Sequence, residues 1–220
     1  MEQTASQFHP VILPAENAGM PCPIDLSADS LTAPEAVWID SDYGEQFFET
    51  LRKEKSVSFF YGGYREVRNL YSRHSLFQDQ DEPRNFHLGI DVWAPAGTNV
   101  YAPLDAQVHS FKFNQHAGDY GATIILQHRV SGSEFYTLYG HLSRKSIADL
   151  EVGKSIAQGM PFASLGKVSE NGQWPPHLHF QVILDMQNYE GDYPGVCTVS
   201  QSQAFLENSP DPGYFFRFHA

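Results

Sequence analysis

The sequence predicts a mostly β protein, an antiparallel sandwich or barrel with one short helix in its N-terminal part. Beyond Phe86 the chain consists of short apolar runs that are separated by Gly, Pro and Asn. Runs of this kind with turn residues between them are typical of antiparallel sandwiches and barrels. With 220 residues, of which 41% are hydrophobic, the chain is long enough to bury a sizeable core. The runs are HLGIDVWAP, TNVYAP, AQVHSFKF, ATIILQH, EFYTLYGHL, KSIAQGMPFASLG and HLHFQVIL.

Three regions follow one another along the chain. Residues 1–40 begin with a stretch rich in Pro, Ala and Ser without periodicity, which predicts an extended N-terminal arm on the surface. Within 41–80, apolar residues at helical spacing predict a short helix that Ser41 can cap, and an aromatic run around two glycines predicts a hairpin. Both should pack on the main domain. That domain comprises residues 81–220, with a C-terminal extension, and its segments 96–108 and 152–166 indicate a weak internal duplication.

The charge of the chain limits its partners. Fourteen basic and 26 acidic residues give a formal net charge of −12, which repels phosphate backbones and anionic membrane surfaces. We therefore expect neither a nucleic acid nor a membrane as partner. The first residues show no basic segment followed by a long apolar stretch, so we expect a cytoplasmic location. In that compartment Cys22 and Cys197 should be reduced thiols.

Four of the ten histidines lie in clusters with other polar residues. These clusters are His87-Leu-Gly-Ile-Asp91, Tyr139-Gly-His141-Leu and His177-Leu-His179. The other histidines stand alone, and an isolated histidine is usually a surface residue or a hydrogen-bonded core residue. We assign no role to these six, which are His9, His74, His109, His116, His128 and His219.

The clusters contain the residue types that bind a catalytic metal. Residues two apart on a strand point to the same face, so one of His177 and His179 could bind a metal while the other stays free beside it. His87 and Asp91 also share a face, and Gly89 between them permits a bend that could bring both to one ion. Two imidazoles and one carboxylate are ligands that Zn²⁺ takes in catalytic sites, where its fourth position is open.

Together and in this order, the motifs resemble those of the lysostaphin-type zinc endopeptidases. The similar segments are HLGIDVWAPAGTNVYAP, YTLYGHLS and PPHLHF, within about residues 84–184. The resemblance implies the lysostaphin-like β fold, of the duplicated hybrid motif type, and zinc bound by His87, Asp91 and His179. It also implies that His141 and His177 are catalytic without binding the metal. YGGYREVRNLY and GDYPGVC further resemble peptidase-like domains of aminotransferase/phosphotransferase fusion proteins.

The resemblance makes a zinc metallopeptidase the leading interpretation of function, with a peptide or a muropeptide-like compound as substrate. One of His141 and His177 would activate the water, and the other would stabilise the oxyanion. Two alternatives stay open: a catalytically inactive binding or regulatory module of the same fold, and a non-haem iron oxygenase, whose iron also takes two histidines and a carboxylate. Trp174 and Gln181 depart from the usual pattern of the family, and Trp174 should lie beside the cleft.

Overall fold

The computed structural model describes residues 8–15, 18–30, 32–73, 77 and 82–216, without the side chains of residues 72 and 73. The protein is mostly β, as predicted. Its strands are β1 (Cys22–Pro23), β2 (Phe60–Gly62), β3 (Phe86–His87), β4 (Ile90–Trp93), β5 (Asn99–Tyr101), β6 (Ala106–Asn114), β7 (Gly121–Val130), β8 (Ser133–Leu142), β9 (Ser155–Ile156), β10 (Pro161–Ser164), β11 (Leu178–Ile183) and β12 (Val196–Cys197). Its α-helices are α1 (Ala36–Ile39), α2 (Ser41–Lys55), α3 (Lys145–Ala148) and α4 (Ser202–Asn208), and short 3-10 helices lie at Asn69–Arg73 and Pro212–Phe216.

The largest sheet has eight strands in the order β1-β2-β4-β11-β8-β7-β6-β9. Its neighbouring strands pair antiparallel, except for β1 and β2, which are parallel. A sheet becomes a barrel when its edge strands pair, and within the described residues β1 and β9 do not. The barrel alternative is therefore wrong, and the sheet is open. Two further sheets have two strands each, β10-β5 and β12-β3.

The central strands of the large sheet are buried on both faces. In β7, Ile124 and Leu126 belong to the main hydrophobic core. Ile125, which points to the opposite face, packs in a second cluster with Leu138 and Tyr193. Burial on both faces explains why this segment is continuously apolar instead of alternating.

The two similar segments of the main domain pair with each other through their strands. β5 and β6 come from the first segment, and β9 and β10 come from the second. β5 pairs antiparallel with β10, while β6 pairs antiparallel with β9. Each segment thus contributes one strand to each pairing, an arrangement that agrees with an internal duplication.

Helix α2 begins where the sequence predicts a helix, but its cap is a different residue. The side chain of Asp40 accepts hydrogen bonds from the backbone N–H groups of Asp42 and Tyr43 and thereby caps the first turn. Ser41 instead donates a hydrogen bond to the backbone oxygen of Gln173, at 2.9 Å. Its hydroxyl therefore ties the helix to the main domain.

The hairpin expected after α2 does not form. β2 pairs with β1 on one side and with β4 on the other, so it has no free edge for a hairpin partner. The chain then turns at Gly63, whose φ of +102° favours glycine. Residues 65–68 run beside residues 85–87 instead: Arg65 N–H donates to the His87 oxygen, and Arg68 N–H donates to the Asn85 oxygen.

Part of the N-terminal arm is buried, contrary to the expected surface position. Val11 and Ile12 are each 1% exposed and belong to the main core, and β1 extends the large sheet. The domain boundaries near residues 40 and 80 stay predictions. Within the residues described above, no helix is both long and apolar enough to cross a membrane.

Candidate metal centre and active site

One cleft brings together the five residues that the sequence predicts as site residues. It has a volume of about 290 Å³, and its walls include His87, Asp91, His141, His177 and His179. All five residues are buried.

The strand register explains how residues distant in sequence meet. Asp91 on β4 lies directly opposite His179 on β11, and His179 lies opposite Gly140 on β8. His141, the next residue, has a left-handed φ of +60° and donates its backbone N–H to Tyr120. Position 89 needs glycine for steric reasons, because a Cβ there would lie 2.7 Å from the His179 ring.

Three donor atoms converge on one point. His87 Nε2 lies 2.9 Å from His179 Nδ1, and Asp91 Oδ1 lies 3.3 Å and 3.2 Å from these two nitrogens. One ligand atom from each residue lies within 4.8 Å of the others. The set of two imidazole nitrogens and one carboxylate oxygen suits Zn²⁺.

The outward hydrogen bonds of the two imidazoles fix their tautomers. His87 Nδ1 donates to the Gly63 carbonyl at 2.9 Å, so Nε2 of the neutral ring carries the lone pair. His179 Nε2 faces the Gln181 side-chain oxygen at 3.0 Å, because the Gln181 amide nitrogen donates to Pro194 and Ser209. Lone pairs of both rings therefore face each other. A cation between them would turn this repulsive arrangement into coordination, so the residues fit a metal.

Arg68 provides a fixed positive charge behind Asp91. Its guanidinium is 1% exposed and donates to Asp91 Oδ2 and to Glu66 Oε2, each at 2.5 Å, and to Tyr71 Oη at 3.3 Å. Arg68 thus occupies one carboxylate oxygen of Asp91 and leaves Oδ1 for the cluster.

Burial and neighbouring charges set the pKa values of the cluster. Burial alone would raise the pKa of Asp91, but His87, Arg68 and the hydrogen bonds from the histidines outweigh it and hold this pKa well below its usual range. Burial also lowers the pKa of His87 to about 4, against the opposing effect of Asp91. At neutral pH the cluster therefore holds a carboxylate and a neutral His87 imidazole, the forms that bind a metal.

His141 and His177 form a second pair beside the cluster. Their ring centroids are 4.1 Å apart. Nδ1 of His141 donates to the Asn171 carbonyl and Nδ1 of His177 to the Pro175 carbonyl, each at 2.8 Å, so Nε2 carries the lone pair in both neutral rings. Burial lowers the pKa of His177 to about 4. Burial also holds the pKa of His141 well below its usual range, and the neighbouring His177 lowers it further.

Aromatic side chains line the cleft around these histidines. Trp174 lies beside the cleft, as predicted, and packs edge-on against Tyr71. Trp93 stacks on His177 with ring centroids 4.2 Å apart. Tyr120 also contacts His141 and His179, and its hydroxyl has no hydrogen-bond partner among the described residues.

Sequence reasoning missed Arg68, Tyr71, Trp93 and Tyr120 as parts of the site. Arg68 stands in the segment YREVRNLY, where Arg65 and Glu66 are charged as well, so the sequence does not set it apart. Trp93 could have been found from strand parity, since it lies two residues after Asp91 on the same face of β4. The sequence offers no comparable signal for Tyr71 or Tyr120.

The isolated histidines described by the structure lie outside the cleft. His128 is buried in β7 and hydrogen-bonds to the Asp105 carbonyl and to Thr137, as a core histidine does. His9, His109 and His116 do not line the cleft, and His74 and His219 lie outside the described residues. Cys22 and Cys197 are both free thiols, as predicted.

The fold and the cleft define a β-rich protein with a buried site of two histidines and one aspartate. Residues 85–190 match the model of Peptidase family M23, and this stretch contains all five site residues. The match begins after α2 and ends before α4, so it covers nearly half of the chain.

Relatives of this stretch include proteins that are named as peptidases. The chain is 29% identical over 99 residues to the peptidoglycan DD-endopeptidase ShyC of Vibrio cholerae, covering 45% of this chain and 20% of that protein. It is 35% identical over 103 residues to the DD-carboxypeptidase/endopeptidase Mpg of Neisseria meningitidis, covering 46% and 21%. The matched part thus spans about a fifth of the length of these relatives.

A solved structure of similar type is the catalytic domain of the antimicrobial peptidase lysostaphin from Staphylococcus simulans. It is 22% identical, with a TM-score of 0.39 over 56% of this chain and 81% of that chain. The mostly β class of the present protein is established by its own strands.

Proposed function

We propose that this protein is a zinc-dependent metalloendopeptidase that hydrolyses a peptide bond in the cleft. The observation that carries the proposal is the convergence of three metal-binding atoms beside two further imidazoles, within the stretch that matches the M23 family. Zinc would be held by His87 Nε2, Asp91 Oδ1 and His179 Nδ1, the atoms left free by their outward hydrogen bonds. Bound there, Zn²⁺ would acidify a water molecule and polarise the scissile carbonyl as a Lewis acid.

His141 and His177 would move the proton during hydrolysis. Because each ring presents Nε2 with a lone pair, either can accept a proton from the attacking water. The same nitrogen can then return that proton to the amine that leaves. In this tautomer a neutral ring offers the oxyanion no donor, so only the histidine that has taken up the proton can stabilise it.

The two alternative functions explain less of the site. An inactive module would need neither the second histidine pair nor its buried position beside the cluster. An iron oxygenase would use the same three ligands but has no need for a proton-transferring pair, and the M23 match favours hydrolysis. We therefore keep the peptidase as the proposed function.

We propose peptidoglycan-derived or other small soluble peptides as the substrate class. A relative named as a peptidoglycan DD-endopeptidase supports peptides derived from peptidoglycan as substrates. The net charge of −12 disfavours adhesion to an anionic wall. Trp174 lines the cleft, so a preference for glycine-rich bridges is not carried over. A cytoplasmic location stays a prediction.

Paired zinc analysis and peptidase assays of single variants test the function. His141→Ala and His177→Ala should each lower turnover by about 10²- to 10⁴-fold while one zinc per chain is retained. His179→Ala should lose stoichiometric zinc. His109→Ala is the matched control, because this histidine contacts Ser110 and Tyr136 and does not line the cleft. Neither readout should change in this variant.

Two outcomes would contradict the assignment. Zinc kept in His179→Ala but lost from His177→Ala would exchange the roles of the two residues. Unchanged turnover in both His141→Ala and His177→Ala would remove the proposed mechanism. For the substrate, cross-linked muropeptides and insoluble sacculi are compared by mass spectrometry, and cleavage of sacculi alone would exclude the soluble class.

A further inference from the structure

Helix α2 packs through one aromatic side chain on Trp93, which in turn contacts the proposed catalytic pair. Phe48 of α2 stacks on Trp93 of β4, with ring centroids 4.4 Å apart and an interplanar angle of 6°. Trp93 in turn stacks on His177 at 4.2 Å and 21°. Phe48 lies outside the stretch that matches the M23 family, so a part of the chain beyond that stretch supports a residue of the site.

The pairing of β4 with β11 places Trp93 against His177. Leu178 lies opposite Val92 and His179 opposite Asp91. Extended by one residue beyond β11, this register sets His177 opposite Trp93, and the stacking of the two rings agrees with it. Neighbours directly across an antiparallel pair have side chains on the same face. The same register therefore produces two cross-strand pairs: Asp91 with His179 in the metal cluster, and Trp93 with His177 beside it.

The contacts of His177 leave its ring one orientation. Its Nδ1 donates to the Pro175 carbonyl, which fixes the rotation of the ring within its own plane. Stacking on Trp93 and contact with His141 at 4.1 Å fix the plane itself. Nε2 therefore has a defined direction, and proton transfer depends steeply on such positioning.

We propose that Trp93, held by Phe48, is a positioning residue that aligns His177 for proton transfer. The proposal rests on the proposed peptidase function of the cleft. It assigns to α2 a part in turnover, although none of the helix enters the walls of the cleft. Stacking, and not a polar bond, carries the effect, because Trp93 Nε1 has no hydrogen-bond partner among the described residues.

The test is made on the zinc-loaded full chain with variants that separate alignment from stability. Phe48→Ala should lower kcat by about 10-fold, leave KM within about 2-fold and retain one zinc per chain, since misalignment acts on the chemical step. Phe48→Tyr keeps an aromatic ring on Trp93 and should keep kcat. Leu51→Ala, from the same helix and the same hydrophobic cluster, is the control: it should lower the melting temperature without lowering kcat.

Equal kcat values in Phe48→Ala and Leu51→Ala would overturn the proposal, as would a loss of kcat in Phe48→Tyr equal to that in Phe48→Ala. If Phe48→Ala does not fold, the pair Trp93→Phe and Trp93→Leu replaces it. The aromatic variant should then lose less kcat than the aliphatic one, and equal losses would overturn the proposal.

A second readout does not need activity. The imidazole C–H resonances of His177 should be displaced by the ring current of Trp93 in the wild-type protein, and should shift in Phe48→Ala but not in Leu51→Ala. If the wild-type protein cleaves no peptide, the proposed function fails, and this spectrum alone decides on the alignment. Identical His177 resonances in all three proteins would refute it.

Discussion

Replacing Arg68 by methionine tests the charge arrangement behind the metal cluster. The guanidinium donates to Asp91, Glu66 and Tyr71. Methionine fills much of the same volume but leaves the Asp91 carboxylate, whose side chain is 3% exposed, without its positive partner. Glu66 loses the same partner, although it is closer to solvent.

The size of the effect follows from the burial of this ion pair. Removing one member of a buried pair costs about 3–5 kcal/mol, because the charge left behind is not compensated. For a chain of this size, 1 kcal/mol shifts the melting temperature by about 2–4 °C, so Arg68→Met should melt about 6–20 °C lower in the metal-free state. With zinc bound the difference should shrink, since the cation compensates the charge of Asp91.

The assay is thermal unfolding of both proteins with and without zinc. Arg129→Met is the matched control, because Arg129 pairs with Glu134 on the surface, where its side chain is 73% exposed. Exposed pairs contribute little, and this variant should change stability by at most about 0.5 kcal/mol. Equal melting temperatures of Arg68→Met and Arg129→Met would refute the reasoning, as would a zinc-independent loss in Arg68→Met.

Two further predictions concern stability. Burial lowers the pKa of His128 from 6.5 to about 4, so the unfolded chain binds more protons than the folded one between these values. The protein should have its full stability above pH 6.5 and should lose about 3 kcal/mol on acidification to pH 4. His128→Gln should lose less over this range in pH-dependent melting, and an identical slope would contradict the assignment. Tyr120→Phe removes a buried hydroxyl that has no hydrogen-bond partner among the described residues, so this variant should melt at the same or a higher temperature. Tyr139→Phe removes the hydrogen bond with Thr137 and should lower the free energy of unfolding by about 1 kcal/mol. The reverse order would show that the Tyr120 hydroxyl is bonded.

The strands could be predicted because their signal is local. A short apolar run between turn residues indicates that this segment is a buried strand, and the indication does not depend on which strand it pairs with. The spacing of His87 and Asp91, with Gly89 between them, likewise describes a local bend. His179 could be added through the family resemblance, since the motif carries it.

Pairing between distant segments could not be predicted in the same way. The hairpin after α2 fails because β2 already has β1 and β4 as neighbours, a fact that no local pattern contains. Arg68 reaches Asp91 only because the chain beyond Gly63 runs beside β3. The stack of Phe48 on Trp93 depends equally on where α2 packs.

His179, the third proposed metal ligand, lies far along the chain from the other two, so the ribosome synthesises it later. His179 follows Asp91 by 88 residues, and the two meet only through the β4–β11 pairing. Ribosomes add roughly 5–20 residues per second, so about 4–18 s pass between the two. During this time the nascent chain has His87 and Asp91 but lacks the third donor and His177. Under the proposed function, the emerging polypeptide therefore cannot cleave its neighbours on the ribosome, because the cleft is assembled only when β11, one of the last strands, pairs in the sheet.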